Sequence, residues 1–122
     1  MLTLEELCPR GQKCSVLTLV VDGRSEAAEW LNELPEDAFD KLMAAASRLA
    51  ADGFIPNEQK LRRLDSGIFE LKLMHPPIRL FCFRFGPDWV CTHGDTKPGK
   101  RELRKHIAKV NRLRQRYLEE RT

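Results

Sequence analysis

The spacing of apolar residues divides the first part of the chain into one strand and two helices. Residues 15–21 (SVLTLVV) are rich in β-branched side chains and run into an Asp-Gly turn, which predicts a β-strand. A helix is predicted over 26–34, because Ser25 is a good N-cap. A second helix is predicted over 35–51, where apolar residues recur with the 3.6-residue period and Gly53 provides the stop. Together these segments predict an α-hairpin after the first strand.

Short strands separated by turns are predicted in the next part of the chain, and a long helix follows them. The strands are expected over 60–64, 68–74, 78–85 and 89–93. Segment 68–74 alternates apolar and polar residues, whereas 78–85 is mostly apolar, as expected near the centre of a sheet. The final helix is expected over 100–120. Its apolar stripe consists of Leu103, Ile107, Val110, Leu113 and Tyr117.

The order of these elements predicts the fold class. One strand, two helices, a run of antiparallel strands and a last helix indicate an α+β domain. We expect a small, twisted, antiparallel-rich sheet with an N-terminal α-hairpin and a basic C-terminal helix. A length of 122 residues suits a single domain, residues 1–122. The sequence contains no run of about 18 apolar residues and no secretory signal, which predicts a cytoplasmic protein without a membrane segment.

The four cysteines and three histidines are not spaced as metal ligands. Five residues separate Cys8 from Cys14, and Cys82 and Cys91 lie within apolar strand patterns with no CxxC motif. The histidines are scattered, with no pair at ligand spacing. We therefore expect neither a metal ion nor another cofactor, and we expect Cys82 and Cys91 to pack as small apolar side chains.

Charge is distributed unevenly along the chain. Residues 1–60 contain 6 Lys/Arg and 11 Asp/Glu, a net charge of −5, whereas residues 61–122 contain 15 and 7, a net charge of +8. Residues 97–116 alone contain nine basic residues and one acidic residue. A solvated helix face would account for a lone basic helix, but basic side chains also recur along the predicted strands. This asymmetry favours a nucleic acid as the partner.

Three segments carry a pattern in a fixed order. Segment 64–72 (LDSGIFELK) has a turn, then Gly, two apolar residues, Glu, Leu and a basic residue. Segment 78–83 (IRLFCF) combines Arg with aromatics, and segment 90–97 (VCTHGDTK) ends a strand in His-Gly before a Lys-containing exit. This pattern resembles the RelE/ParE superfamily of type II toxins, and most closely its HigB-like, phage-associated branch. Asp95 departs from the branch, in which an aromatic residue is common at that position.

The resemblance implies a RelE-like fold and a toxin that a neighbour-encoded antitoxin neutralises. Many relatives are metal-independent endoribonucleases that cleave translated mRNA on the ribosome, whereas others poison DNA gyrase without cutting RNA. The implied partners are a cognate antitoxin of helix-turn-helix type, mRNA and the ribosome, with operator DNA bound only through the antitoxin. A non-catalytic toxin and a plain nucleic-acid-binding module are the alternatives to an RNA-cleaving enzyme.

Cleavage of RNA through its own 2′-OH requires a base, an acid for the departing 5′-oxygen and positive charge on the phosphate. Arg79 is the candidate for the phosphate, because a guanidinium group binds phosphate bidentately. His93 is the candidate acid or base, since histidine titrates near neutrality. Lys72 and Lys97 are candidates for charge stabilisation or proton transfer. The candidate RNA-binding residues are Arg62, Arg63, Arg84, Lys100, Arg101 and Arg104.

A structural role competes with each of these assignments. His93 would cap a turn, Lys72 would lie beside Glu70 on a solvated face, and Arg79 would form a salt bridge with Glu70. His75 and His106 are expected on the surface.

Overall fold

A computed structural model of the chain describes residues 1–96 and 100–121, without the side chains of Lys100 and Arg101. Six strands and three helices follow one another along this part of the chain. In order they are β1 (Leu2–Glu6), β2 (Val16–Val21), α1 (Glu26–Asn32), α2 (Glu36–Asp52), β3 (Leu61–Asp65), β4 (Ile68–Met74), β5 (Pro77–Phe85), β6 (Asp88–Thr96) and α3 (Lys100–Glu120).

Local sequence explains where the α-hairpin begins and ends. The Ser25 hydroxyl accepts a hydrogen bond from the Ala28 N–H at 3.1 Å, which caps α1. Gly53 ends α2 in the left-handed conformation, with φ 82°, and its N–H donates to the Leu49 carbonyl oxygen. The predicted N-cap of α1 and the predicted stop of α2 are thereby confirmed.

The strands form one mixed sheet in the order β1-β2-β6-β5-β4-β3. All neighbouring pairs are antiparallel except β2 and β6, which pair in parallel. The α+β class is confirmed, and the architecture is compatible with a small RelE-like fold. Strand β1 was missing from the sequence prediction, because its LTLEE sequence is short and has only two apolar residues.

Helices cover the sheet on both faces. The α1–α2 hairpin packs on one face, here called the hairpin face, and α3 packs on the other, here called the α3 face. Alternation along the strands sends neighbouring residues to opposite faces. The hairpin face includes Phe69, Leu71, Leu80, Cys82 and Trp89. The apolar part of the α3 face includes Ile68, Phe81, Phe83 and Val90, which pack against Val110 of α3.

Strand β6 is longer than the sequence predicted. It continues through Gly94 to Thr96, because the backbone at Gly94 lies against the Trp30 ring and leaves no space for a Cβ atom. A β-bulge makes Thr92 an extra residue: Cys91 pairs with Cys82, whereas His93 pairs with Phe81. The extension and the bulge place both His93 and Asp95 on the α3 face.

All four cysteines are buried as free thiols, so the expected packing of Cys82 and Cys91 is confirmed. Within the described ranges, no helix combines the length and the apolar character that a membrane crossing requires.

Candidate functional site

A buried carboxylate lies at the centre of the polar part of the α3 face. Glu70 on β4 is 0% exposed. Its Oε2 accepts a hydrogen bond from Nη2 of Arg62 at 2.9 Å, and its Oε1 accepts one from Nη1 of Arg79. The register explains the contacts, because Arg62 is the cross-strand partner of Glu70 on β3 and Arg79 is its diagonal neighbour on β5. The salt bridge between Arg79 and Glu70 is therefore confirmed.

The two arginines carry more positive charge than this one carboxylate neutralises. The side chains of Arg62 and Arg79 are 39% and 23% exposed, so both guanidinium groups reach the surface. Among the described residues, the Nε atoms of Arg62, Arg79 and Arg84 are all buried without a hydrogen-bond partner, so this feature does not distinguish the Glu70 cluster. Glu70 fixes the orientation of two partly exposed guanidinium groups. This arrangement suits the binding of a phosphate.

Lys72, Arg79 and Asp95 form a row across three neighbouring strands. Arg79 on β5 pairs with Lys72 on β4 and with Asp95 on β6. Adjacent strands lie about 4.8 Å apart, so the two outer Cα atoms of the row are separated by about 10 Å. Burial lowers the pKa of the Lys72 ammonium; the charge of Glu70 raises it, and those of Arg79 and Arg62 lower it. The Lys72 side chain is only half-exposed, so it is not part of a fully solvated face.

A chain of side-chain hydrogen bonds starts at Asp95 and continues beneath α3. The Oδ2 atom of Asp95 lies 2.7 Å from Nε2 of His106. Nδ1 of His106 lies 2.9 Å from Nε2 of His93, whose own Nδ1 lies 2.8 Å from Oγ1 of Thr92. The Thr92 hydroxyl also donates to the Phe81 carbonyl oxygen at 3.5 Å. Four side chains therefore connect the exposed row to the interior of the domain.

His93 is the buried member of this chain. It is 2% exposed and stacks on Phe81, with the ring centroids 5.0 Å apart. Burial, reinforced by the charge of Lys109, lowers the pKa of His93 to about 3. The imidazole is therefore neutral at neutral pH and out of reach of a bound substrate. Any acid or base role of His93 has to pass through His106.

The expectation that His106 lies on the surface was wrong. Its side chain is 17% exposed, and its ring stacks on Phe81 with centroids 4.5 Å apart. The sequence contained a signal for this position, because His106 follows Leu103 by three residues and precedes Val110 by four. That spacing places His106 on the apolar stripe of α3. His75, in contrast, is exposed as expected.

Two of the predicted RNA-binding arginines lie on the hairpin face. Arg84 pairs with Trp89 across the sheet, its guanidinium carbon lies 4.3 Å from the Trp89 ring centroid, and its Nη2 donates to the Gly53 carbonyl oxygen at 3.4 Å. Arg63 pairs with Phe69 and is exposed at the edge strand. The structure therefore separates both arginines from Arg79: Arg84 is five positions from Arg79 on the same strand and points to the opposite face, and Arg63 shares the face of its partner Phe69.

The predicted residues that do meet on the α3 face are Arg62, Lys72, Arg79 and His93. Arg104 is exposed on the first half of α3. Lys97 lies outside the described residues, and so do the side chains of Lys100 and Arg101. Within residues 1–96 and 102–121, no group of side chains has the composition and geometry to hold a metal ion.

One family model matches this chain. It is described as Phage derived protein Gp49-like (DUF891), and it matches residues 29–115, from α1 to the last turns of α3. The match includes the Glu70 cluster and the whole hydrogen-bonded chain from Asp95 to Thr92. No curated protein matches the chain.

Proposed function

This chain belongs to the Phage derived protein Gp49-like family, and we propose that it is a toxin that cleaves translated mRNA without a metal ion. The family is toxin-like and of the RelE/HigB type, which supports a toxin of a toxin–antitoxin system in coarse terms and implies a cognate antitoxin. The RNA-cleaving activity is the part that we infer from the α3 face.

The observation that carries this proposal is the excess of cationic groups around Glu70. Arg62 and Arg79 share one carboxylate, and Lys72 lies beside Arg79 on the neighbouring strand. Arg62 and Arg79 carry two positive charges against the one negative charge of Glu70, and both side chains are partly exposed. The second cation and the half-exposed lysine favour an anion with several oxygens as a further partner.

Two residues of the row have a role in the proposed cleavage. Arg79 binds the phosphate oxygens and stabilises the additional negative charge of the transition state. Lys72 takes the proton of the 2′-OH, because its lowered pKa increases the fraction of neutral amine available as a base. The bond from the 2′-oxygen to phosphorus forms while the bond to the 5′-oxygen breaks, and the departing 5′-oxygen takes a proton from water. The products are a 2′,3′-cyclic phosphate and a 5′-hydroxyl end.

An acidic antitoxin segment is the expected inhibitor of this surface. The α3 face is cationic around Arg62, Lys72 and Arg79, and residues 61–122 carry a net charge of +8. A carboxylate-rich segment laid over these groups would complement their charge and block access of RNA. The ribosome and mRNA are the remaining proposed partners. Operator DNA is proposed to bind only through the antitoxin, which is expected to be of helix-turn-helix type.

Mapping of mRNA 5′ ends after induced expression in a bacterial host tests the function. We expect wild-type protein to arrest growth and to create new, codon-phased 5′ ends. Arg79→Gln should remove these ends, because the neutral amide cannot stabilise the phosphate charge. Arg48→Gln is the matched control, since Arg48 is an exposed arginine on α2 that pairs with Asp52 on the same helix.

Growth arrest without new mRNA ends would contradict RNA cleavage. A DNA damage response in the same cells would then indicate a gyrase poison. Absence of any arrest would instead favour a nucleic-acid-binding module.

A further inference from the structure

A cavity between α2 and the end of β4 lies beside the candidate site. Its volume is about 480 Å³, within the range of about 300–1,000 Å³ that is usual for small-molecule sites. The apolar part of its lining consists of Ala44, Ala45, Ile55, Leu73 and Met74. Lys72 also lines the cavity and pairs with Arg79 across the sheet. A group held in the cavity would therefore be a neighbour of a phosphate bound at Arg79.

The register of β3 and β4 places a second lysine beside Lys72. The ladder continues one residue before β3, because the Lys72 N–H donates to the Lys60 carbonyl oxygen at 2.8 Å. Lys60 thus lies opposite Lys72 and extends the row by one cation, although like charges directly opposite each other are destabilising. Lys60 is exposed and has no salt-bridge partner among the described residues. Its ammonium group is available to an anion from outside the chain.

The charges around this cavity have one sign. Among the described residues that line it, none carries a carboxylate, and the charged ones are Lys41, Arg48, Lys60 and Lys72. Lys41 and Arg48 each pair with a carboxylate of their own helix, Asp37 and Asp52 respectively. The uncompensated lysine is Lys60, which extends the row. The cavity therefore combines an apolar interior with a free cation on the side of the candidate site.

Two amide side chains complete the lining, Asn57 and Gln59. Oδ1 of Asn57 accepts a hydrogen bond from the Gln59 N–H at 2.9 Å, which fixes the loop before β3. The Gln59 side chain has no hydrogen-bond partner among the described residues, and its amide offers both an acceptor and donors. Unstacked bases of single-stranded RNA are recognised through contacts with their flat faces and hydrogen bonds to their edges. The cavity supplies both kinds of contact.

We propose that this cavity binds the base of the nucleotide next to the cleaved phosphate, with Lys60 on the phosphate of that nucleotide and Gln59 at the edge of the base. The inference rests on the proposed function, in which Arg79 binds the cleaved phosphate. The base lies against Leu73 and Met74, which follow Lys72 on β4. Bond cleavage stays with Lys72 and Arg79, and the cavity selects which sequence is cut.

Binding of short nucleic acids to the purified protein tests the cavity without requiring cleavage. The probes are four trinucleotides, one for each base, built on 2′-deoxyribose so that no 2′-OH can attack, and an abasic trinucleotide of the same charge. We expect the methyl NMR signal of Met74 to shift with at least one base-containing probe and not with the abasic one. Met1, exposed beside β1 at the opposite edge of the sheet, is the internal control and should not shift.

Two variants separate the roles of Lys60 and Gln59. Lys60→Gln should weaken binding of all four trinucleotides alike, and the slope of log affinity against log salt should become shallower by about 0.7, as for one lost phosphate contact on a single strand. Gln59→Leu should reduce the differences in affinity among the bases, and the base preference at one position beside the mapped mRNA cuts. The controls Lys13→Gln and Gln115→Leu change exposed side chains outside the cavity and should match wild type.

The outcomes separate this inference from the proposed function. New mRNA ends with wild type, combined with an unshifted Met74 signal and an unchanged base preference in Gln59→Leu, would overturn the base-binding cavity alone. A Met74 signal that shifts with trinucleotides, in a protein that creates no new mRNA ends, would support nucleotide binding and overturn cleavage. A signal that shifts only with the antitoxin would overturn nucleotide binding and indicate a docking site for protein.

Discussion

Two arginines five positions apart on β5 have opposite environments. Arg84 lies on the hairpin face, where its guanidinium group covers the buried Trp89 ring at 4.3 Å and donates to the Gly53 carbonyl oxygen. Arg79 lies on the α3 face, where it shares the Glu70 carboxylate with Arg62. The aromatic ring and the backbone carbonyl account for Arg84 as a packing residue. Because Arg62 and Arg79 share one carboxylate, the cluster that contains Arg79 keeps a net positive charge.

The difference shows that a basic residue in a strand can be interpreted only when its face is known. From the sequence, Arg84 and Arg79 are equal members of one cationic strand pattern. Their odd separation places one over an α-hairpin that closes the surface and the other beside a helix that covers only part of it. The comparison therefore supports a packing role for Arg84 and the proposed phosphate-binding role for Arg79, and stability and mRNA cleavage measured together can test both.

Removal of both arginines from Glu70 should give the largest effect. In the double variant Arg62→Met and Arg79→Met, the fully buried carboxylate loses both of its partners. We expect the free energy of unfolding at pH 7 to fall by about 3–5 kcal/mol, as for other broken buried ion pairs. Urea denaturation measures this change. Adding Glu70→Met should restore most of the lost stability, since an apolar side chain needs no partner. A double variant as stable as wild type would show that Glu70 does not depend on these arginines.

The pH dependence of stability should show an effect of intermediate size that comes from His93 on the α3 face. The pKa of His93 is about 3 in the folded protein, against an ordinary value of 6.5, because of burial and the charges of Lys109, His106 and Arg112, which outweigh that of Asp95. The unfolded chain therefore binds a proton at His93 before the folded chain does. Above pH 6.5 the titration of His93 does not lower the free energy of unfolding. As the pH falls from 6.5 towards 3, the free energy of unfolding decreases by up to about 1.4 kcal/mol per pH unit.

The measurement is the free energy of unfolding between pH 7 and 4 for wild type, His93→Gln and the exposed control His75→Gln. The slope should be smaller in His93→Gln and unchanged in His75→Gln. Equal slopes in all three proteins would show that His93 is not held neutral by its surroundings.

Much of the fold was predictable because its signals are local. The β-branched run of β2, the caps of the α-hairpin and the stripe of α3 each depend on residues close together in sequence. The two errors in the sheet depend on distant contacts. Strand β1 exists because β2 offers it an antiparallel partner, and β6 passes through Gly94 because Trp30 fits against the bare backbone there.

The candidate site was predictable only in part, for the same reason. Arg79 and Lys72 were identified from their residue types and from the resemblance. The second arginine on Glu70 and the contact between His93 and His106 join residues 8 and 13 positions apart on different elements. Asp95 was visible as a departure from the family pattern, but its partner on α3 was not. Sequence reasoning found the strands that carry the candidate site, and only the register showed which side chains lie together.

The smallest expected effect is that of Arg84→Met, and it tests the comparison from the other side. Methionine keeps a favourable contact with the Trp89 ring and loses the cation–π interaction and one long hydrogen bond. We expect the free energy of unfolding to fall by only about 0.5–1 kcal/mol. Cleavage of mRNA should stay at the wild-type level, whereas Arg79→Met should abolish it. Urea denaturation and 5′-end mapping of the two variants in parallel provide the measurement. If Arg84→Met removed cleavage while its stability matched this expectation, the hairpin face would be part of the RNA-binding surface, and the functional distinction between the two arginines would be wrong.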